Sequence, residues 1–151
     1  MFDDTDRRIL RQLQGDPGIS TAQLAERAGL NPATCWRRLE GLRERGVLRG
    51  AHAVINWRAL GYSVEVSLRV TLDKTVPQAF ADFAARAREI PEVLEIQTFL
   101  GQVDVRLGLI ARDLAHYQDL YRDKILTLPH ISDLEALMHI ARIKTDETVP
   151  L

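Results

Sequence analysis

The stretch SVEVSLRVTL, residues 63–72, alternates without a break between polar and apolar side chains. Its apolar positions are Val64, Val66, Leu68, Val70 and Leu72. Because successive side chains of an extended chain point to opposite faces, this alternation predicts a strand with one face in a core. A lone strand cannot bury that face, so the pattern requires a sheet whose other strands come from the rest of the chain.

The residues after this strand supply the rest of the sheet. We predict strands over residues 93–100, 103–110 and 134–144, with a tight Gly101-Gln102 turn between the first two. Two helices are also predicted: one begins at Pro77, after the first strand, and one is capped by Asp113, before the last strand. Their apolar faces contain Phe80, Phe83, Ala84 and Ala87 in the first helix, and Leu114, Tyr117, Leu120, Tyr121 and Leu128 in the second. The order β-α-β-β-α-β predicts a ferredoxin-like domain over residues 63–151.

Both helices of such a domain cover the same face of its sheet. The other face is then left bare unless a partner covers it. We therefore expect this domain to dimerise through its sheet.

The first fifty residues predict a separate domain of three short helices, which makes the whole chain α+β. Ser20 and Gln23 form a predicted capping box at the start of the second helix, which ends at Gly29. Asn31 caps the third helix and Pro32 takes its first position. Residues 51–62 are predicted to be a linker strand or arm. The inward stripe of the third helix is predicted to contain Cys35, Leu39 and Leu42. Trp36 flanks this stripe and is expected to pack beside it, the alternative being contact with a base.

The second and third helices are separated only by the tight turn at residues 29–31, which is typical of a helix-turn-helix. Small, polar and arginine side chains occupy the N-terminal half of the third helix, which would let it enter the DNA major groove. Arg37 is predicted to contact bases, and Arg38 to bind either a phosphate or a neighbouring carboxylate. Arg49 is predicted to contact a phosphate. The alternative is a three-helix bundle whose arginines are merely solvated. The predicted DNA-contacting residues are Ser20, Thr21, Asn31, Ala33, Thr34, Arg37, Arg38 and Arg49.

Composition excludes several other classes of protein. The formal net charge is -1, although residues 1–50 contain nine arginines against seven acidic residues. One cysteine, Cys35, cannot form an internal disulfide or a cysteine-cluster metal site, and burial predicts an inert thiol. The histidines His52, His116, His130 and His139 are scattered, so no metal site, cofactor or enzyme is predicted. With no transmembrane stretch and a charged N-terminus, we expect a soluble, cytoplasmic protein without a membrane partner.

Four stretches, in order, resemble the Lrp/AsnC (feast/famine) family of transcriptional regulators. They are DDTDRRILRQLQGD, TAQLAERAGLNPATCWRRLEGLRERGVLRG, FLGQVDVRL and KTDETVPL, together spanning nearly the full chain. The resemblance implies a sequence-specific reader of double-stranded DNA joined by a strand to a ferredoxin-like domain that dimerises. It also implies assembly into tetramers or octamers and regulation by an amino acid or related small molecule bound between the C-terminal domains.

Within FLGQVDVRL, the resemblance places the effector at the Gly-x-x-Asp turn, which here is Gly101 and Asp104. The predicted effector-binding residues are Leu100, Gly101, Gln102 and Asp104. A carboxylate there could accept from an α-ammonium group. The alternative is that Gly101 only makes the hairpin and Asp104 is an exposed strand residue. The family often has an aromatic residue where this chain has Val103.

A second resemblance keeps one enzyme class open. Sirohaem decarboxylases are similar to Lrp/AsnC proteins across both domains. They have a segment with histidine and arginine in the sheet of the second domain, where this chain reads IQTFLGQVDVRLG and has no histidine.

Overall fold

The computed structural model of the protein describes residues 2–50, 53–144 and 148–151. The chain forms two compact units, Met1–Val54 together with Lys144–Leu151, and Ile55–Ile143. Of the segment predicted in the sheet domain, Lys144 and residues 148–151 group with the first unit. None of the described helices is long and apolar enough to cross a membrane.

The first unit contains three helices: α1, Asp4–Gly15; α2, Thr21–Ala28; and α3, Pro32–Glu44. Their apolar stripes meet in one core, and the predicted inward positions of α3 are part of it. The buried residues of this core are Ile9, Leu24, Ala25, Ala28, Cys35, Leu39 and Leu42. Each helix buries only one stripe, so most of the surface of α3 is left to solvent or a partner.

Local signals decide where these helices begin and end. Ser20 and Gln23 form the predicted capping box, since the Ser20 hydroxyl accepts from the Gln23 N–H and the Gln23 side chain accepts from the Ser20 N–H. Gly29 ends α2 in the left-handed region, with φ 67°. The Asn31 side-chain oxygen accepts from the Thr34 N–H at 2.8 Å and caps α3. The turn between α2 and α3 is therefore short and fully specified by sequence.

The second unit has the elements β1, Val64–Leu72; α4, Ala79–Ala87; β2, Val93–Thr98; β3, Val105–Ala111; α5, Leu114–Leu120; and β4, Ile131–Met138. A π-helical turn, Tyr121–Ile125, follows α5. The strands form one antiparallel sheet in the order β2-β3-β1-β4. The predicted β-α-β-β-α-β order and ferredoxin-like fold are confirmed.

The core of this unit lies between one face of the sheet and the two helices. The apolar face of β1 is buried as the alternation predicted, and it faces Phe83 of α4 and Leu120 of α5 in one cluster. Phe80 and Leu114 were predicted on the buried helix faces, but 47% and 53% of their surfaces are exposed. Both lie in the first turn of their helix.

The strand predicted over residues 134–144 begins at Ile131 and ends at Met138. Where a linker strand or arm was predicted, the described residues 53–62 contain turns and no strand, and Ala51 and His52 lie outside the described residues. Val54 and Ile55 are mostly exposed, so this stretch has no neighbouring strand within the described chain to supply ladder hydrogen bonds.

The outer face of the sheet, the one without helices, is less bare than the sequence predicted. Glu65 and Ser67 of β1 point to this face and are nevertheless buried. Arg58 and Arg142 both pair with the Glu65 carboxylate, and the His139 ring lies 3.0 Å from the Ser67 hydroxyl. The segments that flank the sheet therefore cover part of its polar face.

Candidate nucleic-acid interface and effector pocket

The N-terminal half of α3 presents an open surface. Ala33 and Arg37 are exposed, and Thr34 is half-buried beside them. Arg37 makes no hydrogen bond or ion pair with any residue that the structure describes, which leaves its five N–H donors available. The arrangement matches the predicted geometry: the inward stripe begins at Cys35, and the opposite side of the helix is bare.

Trp36 lies on this surface and does not pack as predicted. The side chain sits about 100° around the helix from Cys35, and 58% of the residue is exposed. Its neighbours Ala33 and Arg37 are exposed as well. A large aromatic therefore adds apolar area to the open side of α3.

Arg38 points the other way, toward α1. Its Nη1 lies 2.6 Å from Asp3 Oδ2 and 3.0 Å from Asp6 Oδ1. Arg45 Nη2 approaches the second oxygen of Asp6 at 3.4 Å. Hydrogen bonds to Asp3 and then Asp6 raise the pKa of the Arg38 guanidinium, while the Asp6 N–H and then Arg38 lower the pKa of Asp3.

This network corrects the placement of Arg38 among the DNA-contacting residues. Of its two predicted targets, phosphate or a neighbouring carboxylate, the structure gives the carboxylate. Arg38 joins the helix that carries Arg37 to the helix that begins the unit.

The other predicted DNA contacts lie around the same end of the unit. Ser20 and Asn31 use their side chains as helix caps, and both are exposed. Thr21 is the half-buried first residue of α2. Arg49 is exposed beyond α3 and makes no ion pair with a described residue. The two caps therefore place main-chain N–H groups at the starts of two neighbouring helices.

Cys35 is fully buried in the helical core, as predicted. Burial raises the pKa of its thiol, because the apolar core disfavours the thiolate. The thiol is therefore an unreactive core group.

The predicted effector turn joins β2 to β3. Leu100 and Gly101 are exposed at its tip, and the Gln102 carbonyl accepts from the Thr71 hydroxyl at 3.0 Å. The φ of Gly101 is 158°, a positive value that L side chains rarely adopt, so the turn favours glycine at this position.

Asp104 is neither an exposed strand residue nor an unpaired carboxylate. One oxygen accepts from the Leu72 N–H at 2.8 Å, and the other pairs with the Lys74 ammonium. These contacts, Lys74 first and then the Leu72 N–H, lower the pKa of Asp104. Its side chain is 18% exposed. Asp104 therefore fastens the end of β1 to the turn, and only its accessible part remains for a ligand.

A cavity of about 530 Å³ lies beside this carboxylate. Leu100 and Asp104 line it, while Gly101 and Gln102 do not. The sequence reasoning missed most of its lining, which comes from the end of β1, the start of α4 and the end of β2. The missed residues are Leu72, Asp73, Lys74, Val76, Pro77, Ala79, Phe80, Thr98 and Phe99.

Lys74 lies in the turn after β1, and Phe80 lies in the first turn of α4. Neither position has a sequence signal that marks it as a site residue. Tertiary packing alone brings them to Phe99.

The described histidines remain apart. His116 lies 3.6 Å from Glu92, His130 lies 2.9 Å from Asp82, and His139 contacts Ser67 and Glu65. His52 falls outside the described residues. Across residues 2–50, 53–144 and 148–151, no three His, Cys, Asp or Glu side chains form a group that could hold a metal ion.

Comparison with known proteins finds matches over both units. The Winged helix-turn-helix DNA-binding model matches residues 2–49, and the Lrp/AsnC ligand binding domain model matches residues 65–149. The leucine-responsive regulatory protein of Rhizobium meliloti is 34% identical over 143 residues, which cover 95% of this chain and 92% of the relative. The transcriptional regulator AzlB of Bacillus subtilis is 28% identical over 151 residues, which cover 100% of this chain and 96% of that protein.

Solved structures agree with these matches. A transcriptional regulator from Neisseria meningitidis in complex with L-Met superposes with a TM-score of 0.91 at 29% identity, covering 99% of this chain and 97% of that one. Escherichia coli AsnC gives a TM-score of 0.91 at 25% identity, covering 99% of both chains. With a helix-turn-helix at one end and the ligand-binding domain over more than half of its length, the chain belongs to the Lrp/AsnC family of transcriptional regulators.

Proposed function

We propose that this transcriptional regulator reads duplex DNA with the N-terminal half of α3 and responds to an apolar amino acid bound in the cavity beside Asp104. The observation that carries the proposal is the contrast between two adjacent arginines. Arg38 is held at the start of α1 by two carboxylates, whereas Arg37, about 100° around the same helix, lies open. We place this action in the cytoplasm.

The open surface has the size and chemistry that the major groove accepts. Ala33 lets the helix approach closely, Thr34 can meet a thymine methyl or a phosphate, and Arg37 can bind guanine O6 and N7 together. Glu40 lies on this side too and would repel phosphate, but it is paired with Arg43. The capped starts of α2 and α3, with Ser20, Thr21 and Asn31, can donate to phosphate oxygens.

Two arginine substitutions test this assignment. Arg37→Ala should lose about 1–3 kcal/mol of binding free energy on an operator and much less on random DNA. Arg49→Ala should weaken binding to both DNAs alike and lower the salt dependence, because a phosphate contact carries no sequence information. The measurement is fluorescence anisotropy with operator and scrambled duplexes at several salt concentrations. Equal losses for Arg37→Ala on both duplexes would place the base reader elsewhere.

The cavity combines the groups that an amino acid needs. Lys74 offers ammonium donors to an α-carboxylate, and the carboxylates of Asp73 and Asp104 can accept from an α-ammonium group. Phe80, Phe99 and Leu100 provide apolar walls for a side chain. A thioether would make favourable contacts with the two aromatic rings, which agrees with the L-Met complex of the Neisseria regulator. A volume of about 530 Å³ lies within the range of small-molecule sites.

A thermal-shift series tests the effector. L-Met and L-Leu should raise the melting temperature, and L-Asp should not. A ligand at 100 times its Kd stabilises the folded protein by about 2.7 kcal/mol. Lys74→Met keeps the aliphatic stem and removes the ammonium, so the shift should vanish. Lys124→Met changes an exposed lysine elsewhere on the unit and should leave the shift intact. An undiminished shift in Lys74→Met would exclude this binding mode.

We also propose that the chain assembles at least as a dimer through the outer face of its sheet. Leu137 of β4 lies directly opposite Ser67 on that face and is 36% exposed. Leu137→Asp should therefore lower the mass measured by light scattering toward that of one chain. Leu114→Asp, on an exposed helix position, is the matched control. A wild-type mass equal to one chain would contradict the proposal.

A further inference from the structure

The last described segment, residues 148–151, lies against α1 in the first unit. The Val149 N–H donates to Gln14 Oε1 at 2.7 Å, and Gln14 Nε2 donates to the Val149 carbonyl at 3.2 Å. Arg11, one turn earlier on α1, donates from Nε to the main-chain oxygen of Leu151 at 2.9 Å. Two α1 side chains thus hold the segment by its backbone.

Gln14 contacts Val149 as a neighbouring strand would, with one donor and one acceptor. Such main-chain contacts are indifferent to sequence, and selectivity comes from alternate side chains, as when an extended peptide adds to a sheet. Val149 and Leu151 are those alternate residues, and both face an apolar hollow. Its other apolar lining residues are Leu10, Leu13, Pro17, Val47, Leu48 and Val54.

The apolar side of this contact is loosely packed. The hollow has a volume of about 460 Å³ with Val149 and Leu151 forming part of its wall, and 55% of Val149 stays exposed. Side chains next to open space lose contacts on that side, and hydrogen bonds exposed to water contribute little net free energy. The segment is therefore held firmly enough to be ordered and weakly enough to detach.

We propose that residues 148–151 form a reversibly docked strap on the DNA-binding unit, with the chain's own Val149 and Leu151 as the ligand of a groove on α1. The strap stabilises the C-terminal half of α1. Through Asp6, the same helix holds Arg38 and Arg45 of the α3 region. Release of the strap loosens α1 and, through it, the setting of α3. This last step rests on α3 being the DNA reader, whereas the docking does not.

Hydrogen exchange on the full chain tests the docking without DNA. Gln14→Ala should lower the protection of the α1 amides about three- to tenfold, although alanine favours helix more strongly than glutamine. Val149→Asp combined with Leu151→Asp should do the same, and the triple variant should be no worse than either change alone. Pro150→Ser, at an exposed position between them, is the control and should change nothing.

A synthetic peptide of residues 144–151 should restore α1 protection when added to the Val149→Asp, Leu151→Asp protein, and a scrambled peptide should not. Unchanged α1 protection in Gln14→Ala, or equal rescue by both peptides, would overturn the strap. If protection falls but operator affinity does not, docking stands and its link to α3 is refuted.

Discussion

Asp6 of α1 contacts two arginines of the α3 region. Its side chain is only 6% exposed and accepts from Arg38 at 3.0 Å and from Arg45 at 3.4 Å. The carboxylate is nearly buried, whereas the side chains of the two arginines are 32% and 42% exposed. Asp6→Ala would remove one carboxylate from both guanidinium groups at once and leave Arg38 with Asp3 alone.

The cost of this substitution follows from the geometry. A hydrogen bond to a charged group contributes about 1.5–3 kcal/mol, and the longer Arg45 contact counts for less. Breaking a fully buried pair costs about 3–5 kcal/mol, but here Arg38 keeps Asp3 and both arginines reach water. We therefore expect a loss of about 2–3 kcal/mol in the first unit. For a unit of this size, that loss lowers the melting temperature by about 8–24 °C.

Native-state hydrogen exchange of the α3 amides measures the opening of this unit by itself. Asp4→Ala changes an exposed carboxylate in the same turn of α1 and is the control. In a double-mutant cycle, Asp6→Ala and Arg38→Ala should couple by about 0.5–3 kcal/mol. A loss below about 0.5 kcal/mol for Asp6→Ala, or strict additivity with Arg38→Ala, would show that the network does not position α3.

Three further predictions concern groups elsewhere in the chain. Lys74 and the Leu72 N–H lower the pKa of Asp104 in the folded protein. The stability that this carboxylate contributes is therefore complete above its unfolded pKa of about 3.9 and is lost as the pH falls through the lower folded pKa. Over that pH range, the urea midpoint of the wild type should fall, and that of Asp104→Asn should fall less. Cys35 should react with a thiol reagent only when the helical unit opens, giving labelling rates that rise with urea. Asn31→Ala should cost about 0.5–2 kcal/mol by chemical denaturation, while Asn31→Asp should cost less, because aspartate also caps.

The fold was largely predictable because its signals are local. Alternation in residues 63–72 specifies a half-buried strand, and the caps at Ser20 and Asn31 specify two helix starts whichever neighbours they have. The order of these elements then leaves few topologies. Within the described residues 53–62 no strand forms, because a strand needs a hydrogen-bonding partner and the pattern of one segment cannot supply it.

The candidate sites were less predictable because they depend on which distant groups meet. Arg37 and Arg38 are chemically identical neighbours, yet the 100° between them turns one to solvent and the other to Asp6, 32 residues away in sequence. Trp36 was predicted to pack, but 58% of the residue is exposed. Asp104 was predicted at the effector site, but its carboxylate forms an ion pair with Lys74, 30 residues earlier in the sequence.

By itself, the sequence determined the elements, their order and the side of each helix that is apolar, since these follow from side-chain periodicity and backbone caps acting over a few residues. Only the tertiary structure decided which arginine is open, how Asp104 is engaged, and that Phe80 and Phe99 share a cavity. The physical reason is the separation along the sequence over which each effect acts. Helical periodicity relates residues three or four apart, whereas ion pairs and cavities join groups that only the folded chain brings together.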